Sequence, residues 1–107
     1  SALTQTAGVT ALRHAGEAAA GLDAIRIERD RIVRALSGID GTTVFPSHAN
    51  FVLFQPPRDA KEVWRGLLDR GVLVRDLTEV VPNGLRVTAG TTHEVDLFLK
   101  ALEEVLT

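Results

Sequence analysis

Two arginines are the residues of this 107-residue chain whose type and spacing point most directly to chemistry. Arg75 lies in the apolar run GVLVR at 71–75 and Arg86 in GLRVT at 84–88, and both runs read as short strands. Successive side chains on a strand point to opposite faces, so Arg75 faces away from Val74, and Arg86 away from Leu85 and Val87. If the two strands pair as antiparallel neighbours through the 76–83 loop, Arg75 and Arg86 come nearly opposite each other. Like charges there are destabilising unless an anion bridges them. A guanidinium grips a carboxylate or phosphate with a two-pronged fork, so the pair is a candidate site for an acidic small molecule. The competing reading makes both arginines solvated edge residues, or pairs Arg75 with a nearby Asp or Glu.

Other candidates are weaker. Ser47 beside His48 suggests a nucleophile, but neighbours on an extended chain point apart and no third member of a triad is identifiable. His14, His48 and His93 lack the spacing of a metal site. The nine glycines sit at element ends and build no phosphate-cradling loop. Trp64 falls on the apolar stripe of a helix, where core packing accounts for it. The chain has no Cys, so disulfides and thiolate chemistry are excluded, and a reducing cytoplasm fits.

The elements that must position the arginines can be read from punctuation and periodicity. Leu22, Ile25, Ile32, Val33 and Leu36 recur at helical spacing, with Arg26/Asp30 and Asp30/Arg34 as opposite-charge i,i+4 pairs, and the helix ends near Gly38. A weaker helical pattern precedes it, with Gly16 expected to break or bend it. TTVF at 42–45 and NFVLF at 50–54 read as strands bounded by Pro46 and Pro56-Pro57. Asp59 caps a helix carrying Ala60, Val63, Trp64, Leu67 and Leu68 on one stripe, and Gly71 closes it. Pro82-Asn83-Gly84 is a turn signal between the two arginine strands. Thr91-x-x-Glu94 is a capping box that opens a last helix with Val95, Phe98, Leu99, Leu102 and Leu106 buried.

These short strands and varied connections predict an α/β (α+β) two-layer sandwich: a short, mostly antiparallel sheet with helices packed on one face. The run NFVLF is apolar on both faces, so the second face calls for a cover, in part from the N-terminal helix or from a surface outside the chain. An uncovered second face predicts self-association. A chain of this length can bury roughly two thirds of its unfolded surface and hold one core. With 45% apolar and 24% charged residues it has the composition of a soluble globular domain. A net charge of -2 without a basic stretch gives no footprint for nucleic acid, and no segment reads as a signal or membrane span. A small molecule or a protein is the expected partner. The chain lacks Met and opens inside a helical pattern, so it is expected to be part of a longer protein.

SHANFVLF at 47–54, GVLVRD at 71–76 and LRVTAGT at 85–91, followed by an amphipathic helix, resemble the end of histidinol-phosphate aminotransferases. The opening SALTQ is similar to the element that begins their interdomain helix. The resemblance spans essentially the whole chain and implies a C-terminal small domain over 1–107, with 1–20 the end of the interdomain helix region. It implies a fold-type-I enzyme that uses pyridoxal 5'-phosphate, works as a homodimer and exchanges an amino group between histidinol phosphate and 2-oxoglutarate in histidine biosynthesis. Arg86 would then grip the carboxylate of the amino-acid co-substrate, and Arg75 the phosphate end of histidinol phosphate. Ala89 and Val95 depart from the family's usual residues without touching a chemical role. Lys61 and Lys100, the only lysines, lie on solvent sides of helices and in no motif resembling the family's cofactor-binding lysine. This implies that the chain alone is inactive, holds no cofactor, and depends on a large domain of the same polypeptide. The alternatives are an aromatic amino-acid aminotransferase or a phosphothreonine decarboxylase on the same scaffold, or a free-standing ligand-binding or dimerisation domain without catalysis.

Overall fold

The alternation in residues 51–55 decides which side of the sheet becomes the core. Val52 and Phe54 are fully buried, while Phe51, Leu53 and Gln55 on the other face are half-buried. The computed structural model describes residues 15–47 and 49–107, with side chains from residue 21 onward. Its elements are helix α1 (Ala15–Ser37), strands β1 (Thr43–Val44) and β2 (Phe51–Gln55), helix α2 (Ala60–Asp69), strands β3 (Arg75–Asp76) and β4 (Leu85–Thr88), and helix α3 (Thr92–Leu106). The four strands form one sheet in the order β1-β2-β4-β3, antiparallel throughout.

Helices cover one face of this sheet, as the sandwich reading requires. Val52, Phe54, Leu85 and Val87 from the strands share a core with Ile32 and Leu36 of α1, Val63 and Leu67 of α2, and Val95, Phe98 and Leu102 of α3. Phe54 meets Phe98 edge to face, with ring centroids 6.3 Å apart. A Cβ at Gly66 would come within 2.9 Å of Val105, so the missing side chain is what lets α2 approach α3. On the opposite face lie Phe51, Leu53, Arg86 and Thr88. Residues 1–14, including the weaker N-terminal pattern that could cover this face, fall outside the described residues.

The caps form as their residue types dictate. Asp59 accepts the Glu62 amide at 3.1 Å. Gly71, at φ 78°, ends α2: its amide donates to the Leu68 carbonyl and that of Val72 to the Leu67 carbonyl. These are the two bonds of a Schellman motif, which needs the left-handed backbone glycine adopts freely. Thr91 and Glu94 bond reciprocally in a full capping box.

Three details differ from the sequence reading, and the expected break at Gly16 concerns a pattern at 1–14 that lies outside the described residues. Leu22, expected on the buried stripe, is exposed. Arg26 pairs with Asp23 and Arg29 with Asp30, in place of the expected i,i+4 pairs. The strand expected at 71–75 shrinks to Arg75–Asp76, because Val72 and Val74 leave the glycine turn packed into the core and the Val74 carbonyl is taken by a helix side chain.

Candidate functional site

The β3–β4 ladder sets Arg75 directly opposite Arg86. Alternation on β4 buries Leu85 and Val87 in the core and turns Arg86 and Thr88 to the other face. Both arginines line an open cleft of ≈ 340 Å³ at the β3 edge of the sheet, together with Trp64, Leu73, Val74, Asp76 and Thr88. The structure thus brings together the two residues that strand spacing had singled out.

Their surroundings differ. Arg75 is exposed, and no carboxylate among the described residues forms an ion pair with it, which sets aside the reading that paired it with a neighbouring acid. Arg86 is half-buried, and its guanidinium carbon stands 5.1 Å from the centre of the Phe51 ring. A cation over an aromatic face is attracted by the ring quadrupole, which holds the side chain in place without consuming its donors. The Arg86 Nε is buried and makes no hydrogen bond. A buried charged donor left unbonded is costly.

Asp76, the next residue after Arg75, is engaged elsewhere. Its Oδ1 accepts the Thr78 amide at 2.8 Å and its Oδ2 lies 3.5 Å from Lys61 Nζ. The Thr78 amide first, then the Thr78 side chain, hold its carboxyl below the usual carboxylate range; burial opposes them less strongly, and Lys61 adds smaller contributions in the lowering direction. Asp76 is therefore a carboxylate at neutral pH, with partners other than Arg75.

Trp64 was read as a core residue, and it is half-buried against the core while also forming a wall of the cleft. Its Nε1 donates to the Val74 carbonyl at 2.9 Å. The available signal was chemical: a buried indole N–H seeks an acceptor, and Trp64 sits three residues after Lys61 on the same helix face. Asn83 has a second role that turn propensity alone did not reveal. Held at φ 57°, it accepts the Ala60 amide at 2.7 Å and donates to the Arg58 carbonyl at 2.9 Å, tying the loop between the arginine strands to the start of α2.

Of the other candidates, Ser47 is half-buried, His93 is exposed on α3, and His14 and His48 lie outside the described residues. Among the described residues, no group of three His, Cys, Asp or Glu side chains could hold a metal ion, and no helix is long and apolar enough to cross a membrane.

No protein-family model matches the chain. It is 49% identical over its full length to the histidinol-phosphate aminotransferase of Frankia casuarinae, of which it covers 26%. The chain spans about a quarter of the length of the curated relatives it matches, which carry the same enzyme name at 43–49% identity. Among solved structures it is similar to the histidinol-phosphate aminotransferase of Clostridium acetobutylicum, with 25% identity and a TM-score of 0.74 over 88% of this chain and 30% of that one. It is also similar to the L-threonine-O-3-phosphate decarboxylase of Porphyromonas gingivalis, with 28% identity and a TM-score of 0.68 over 76% of this chain and 26% of that one.

Proposed function

This chain is related along its whole length to one segment of the histidinol-phosphate aminotransferases, and on that premise we propose that it is the substrate-gripping C-terminal small domain of such an enzyme. The intact enzyme would transfer an amino group between histidinol phosphate and 2-oxoglutarate in histidine biosynthesis, as a cytoplasmic homodimer. The observation that carries this reading is the cleft in which Arg86, with a buried and unbonded Nε, faces Arg75 across two strands.

In this reading Arg86 forks onto the carboxylate of the amino-acid co-substrate, and Arg75 meets the phosphate end of histidinol phosphate. Phe51 keeps the Arg86 guanidinium in place, while Trp64 and Thr88 wall the cleft and limit water around the anion. The domain closes over bound substrate and fixes its orientation, a contribution of positioning rather than of bond making.

Pyridoxal phosphate would supply the electron sink that amino transfer needs. The residues described here do not fit it. Its lysine must lose a proton to form an imine, and Lys61 is instead exposed and ion-paired with Asp76, while Lys100 is exposed on α3 beside Arg70 and Glu104. In this reading the lysine and the cofactor site lie in the large domain, outside this chain.

Replacing Arg86 with Ala in the intact enzyme tests the proposal. The expected result is a fall in kcat/KM for glutamate of roughly 100-fold, equivalent to about 3 kcal/mol of lost charged hydrogen bonding, with unchanged cofactor absorbance. An unchanged kcat/KM would refute it. The likeness to the phosphothreonine decarboxylase supports a second reading, in which the same cleft serves a decarboxylase of a phosphorylated amino acid. Carbon dioxide release from phosphothreonine, without amino transfer to 2-oxoglutarate, would favour that enzyme. Preference for phenylpyruvate over histidinol phosphate would instead favour an aromatic aminotransferase.

A further inference from the structure

Strand β3 is two residues long and lies at the edge of the sheet, with β4 as its one neighbour. Its first residue, Arg75, faces a like charge on β4. A pair of residues at a sheet edge, with repulsion across its one ladder, has little intrinsic reason to hold a fixed position. The residues on either side of Arg75 are nevertheless both held, and both from α2. The carbonyl of Val74 accepts Trp64 Nε1 at 2.9 Å, and the carboxylate of Asp76 meets Lys61 Nζ at 3.5 Å. Lys61 and Trp64 are three residues apart, so one face of one helix reaches both.

The helix is a firm base for this grip. Its start is capped by Asp59 and by Asn83 from the loop that follows β3, and its end is fixed by the Gly71 motif two residues before Leu73. Asp76 also lines the arginine cleft, so its carboxylate belongs to the wall of the space that an anion between Arg75 and Arg86 would share. A free carboxylate there would compete for Arg75. With Thr78 and Lys61 as its partners, Asp76 leaves Arg75 without an ion pair among the described residues.

We propose that Lys61 and Trp64 are positioning residues for Arg75, which clamp the edge strand on both sides of it and keep Asp76 from neutralising it. The inference rests on the reading of the Arg75–Arg86 cleft as an anion site, and assigns to α2 the control of that site's geometry and charge. Neither residue needs to touch the anion to set its affinity. Trp64 acts through the Val74 carbonyl, and Lys61 through Asp76.

The test is calorimetric titration of the intact enzyme with inorganic phosphate at low ionic strength. Trp64→Phe keeps the ring but removes the donor, and is expected to weaken phosphate about fivefold. Lys61→Met is exposed and keeps the fold, and is expected to weaken phosphate by a similar factor, but only while Asp76 is ionised. In an Asp76→Asn background the same Lys61→Met change is expected to have no effect, because there is no longer a carboxylate to hold. Equal weakening in both backgrounds would mean that Lys61 acts only as a distant positive charge, and would overturn the clamp. If Trp64→Phe does not fold, the Lys61–Asp76 cycle decides alone. Arg86→Ala separates the two levels of the claim: if it abolishes phosphate binding while both clamp variants bind normally, the clamp is wrong and the anion site stands. If wild type fails to bind, or Arg86→Ala binds as wild type does, the anion site itself is wrong and the clamp falls with it.

Discussion

Arg75 and Arg86 are direct partners across the β3–β4 ladder, two cations side by side with no acid of the described residues paired to either. Such a pair is a poor choice for stability. In the proposed reading a dianion bound between them relieves the repulsion, so stability and binding pull in opposite directions at these two positions.

Removing one charge should expose this opposition. Arg75→Met is expected to stabilise the chain by about 0.5 kcal/mol in phosphate-free buffer, the order of a cross-strand charge effect. Added phosphate should raise the melting temperature of wild type, because it binds the folded state, and should raise that of the variant much less. Thermal unfolding with and without phosphate measures both effects. Equal phosphate shifts in the two proteins would remove Arg75 from the site.

Asp76 gives a prediction in pH. Its carboxyl is held below the ordinary value of 3.8, chiefly by the Thr78 amide. A carboxyl whose pKa is lower in the folded than in the unfolded chain contributes stability that is fully present above the unfolded value and is lost as pH falls through the folded one. Wild type should accordingly be more stable than Asp76→Asn at pH 6, with the difference narrowing below pH 3.8. Denaturant unfolding of both proteins across that range checks it. A difference independent of pH would show that the carboxylate charge is not what holds the 76–78 turn.

A second polar cluster predicts an effect on the fold with none on the site. Glu28 is buried on α1, where its Oε1 accepts Arg31 Nε at 2.9 Å and its Oε2 accepts the Thr92 hydroxyl at 3.0 Å. Arg31 continues to Asp96 at 2.8 Å and donates to the Thr92 carbonyl at 3.0 Å, so α1 is clasped to the start of α3. Glu28→Ala removes the acceptor of two part-buried hydrogen bonds and should cost about 1–3 kcal/mol of stability. Phosphate affinity should stay as in wild type, because the clasp and the cleft share no residue. Urea unfolding beside a phosphate titration reads both, and a loss of affinity would mean that the two regions are coupled.

Much of this molecule was legible before folding because it is local. The helix caps at Asp59, Gly71 and Thr91 form from residues within a turn of one another, and the alternation in GLRVT assigns Arg86 a face whatever surrounds it. The antiparallel partnership of Arg75 with Arg86 followed from the short loop between their strands. The family resemblance rested likewise on contiguous motifs, and curated relatives match them along the whole chain.

What the sequence determined by itself was therefore the set of elements, their inward and outward faces, and the two arginines that share one of those faces. The tertiary structure decided how that face becomes a site. It turned Trp64 from a core residue into a wall of the cleft, took Asp76 away from Arg75, used Asn83 to cap a helix 23 residues earlier, and shortened the expected strand at 71–75 to two residues. Each of these depends on a hydrogen bond or ion pair between residues far apart in the chain, where no periodicity or propensity records which partner will arrive. Backbone pattern fixes where a side chain points, and only packing fixes what it meets there.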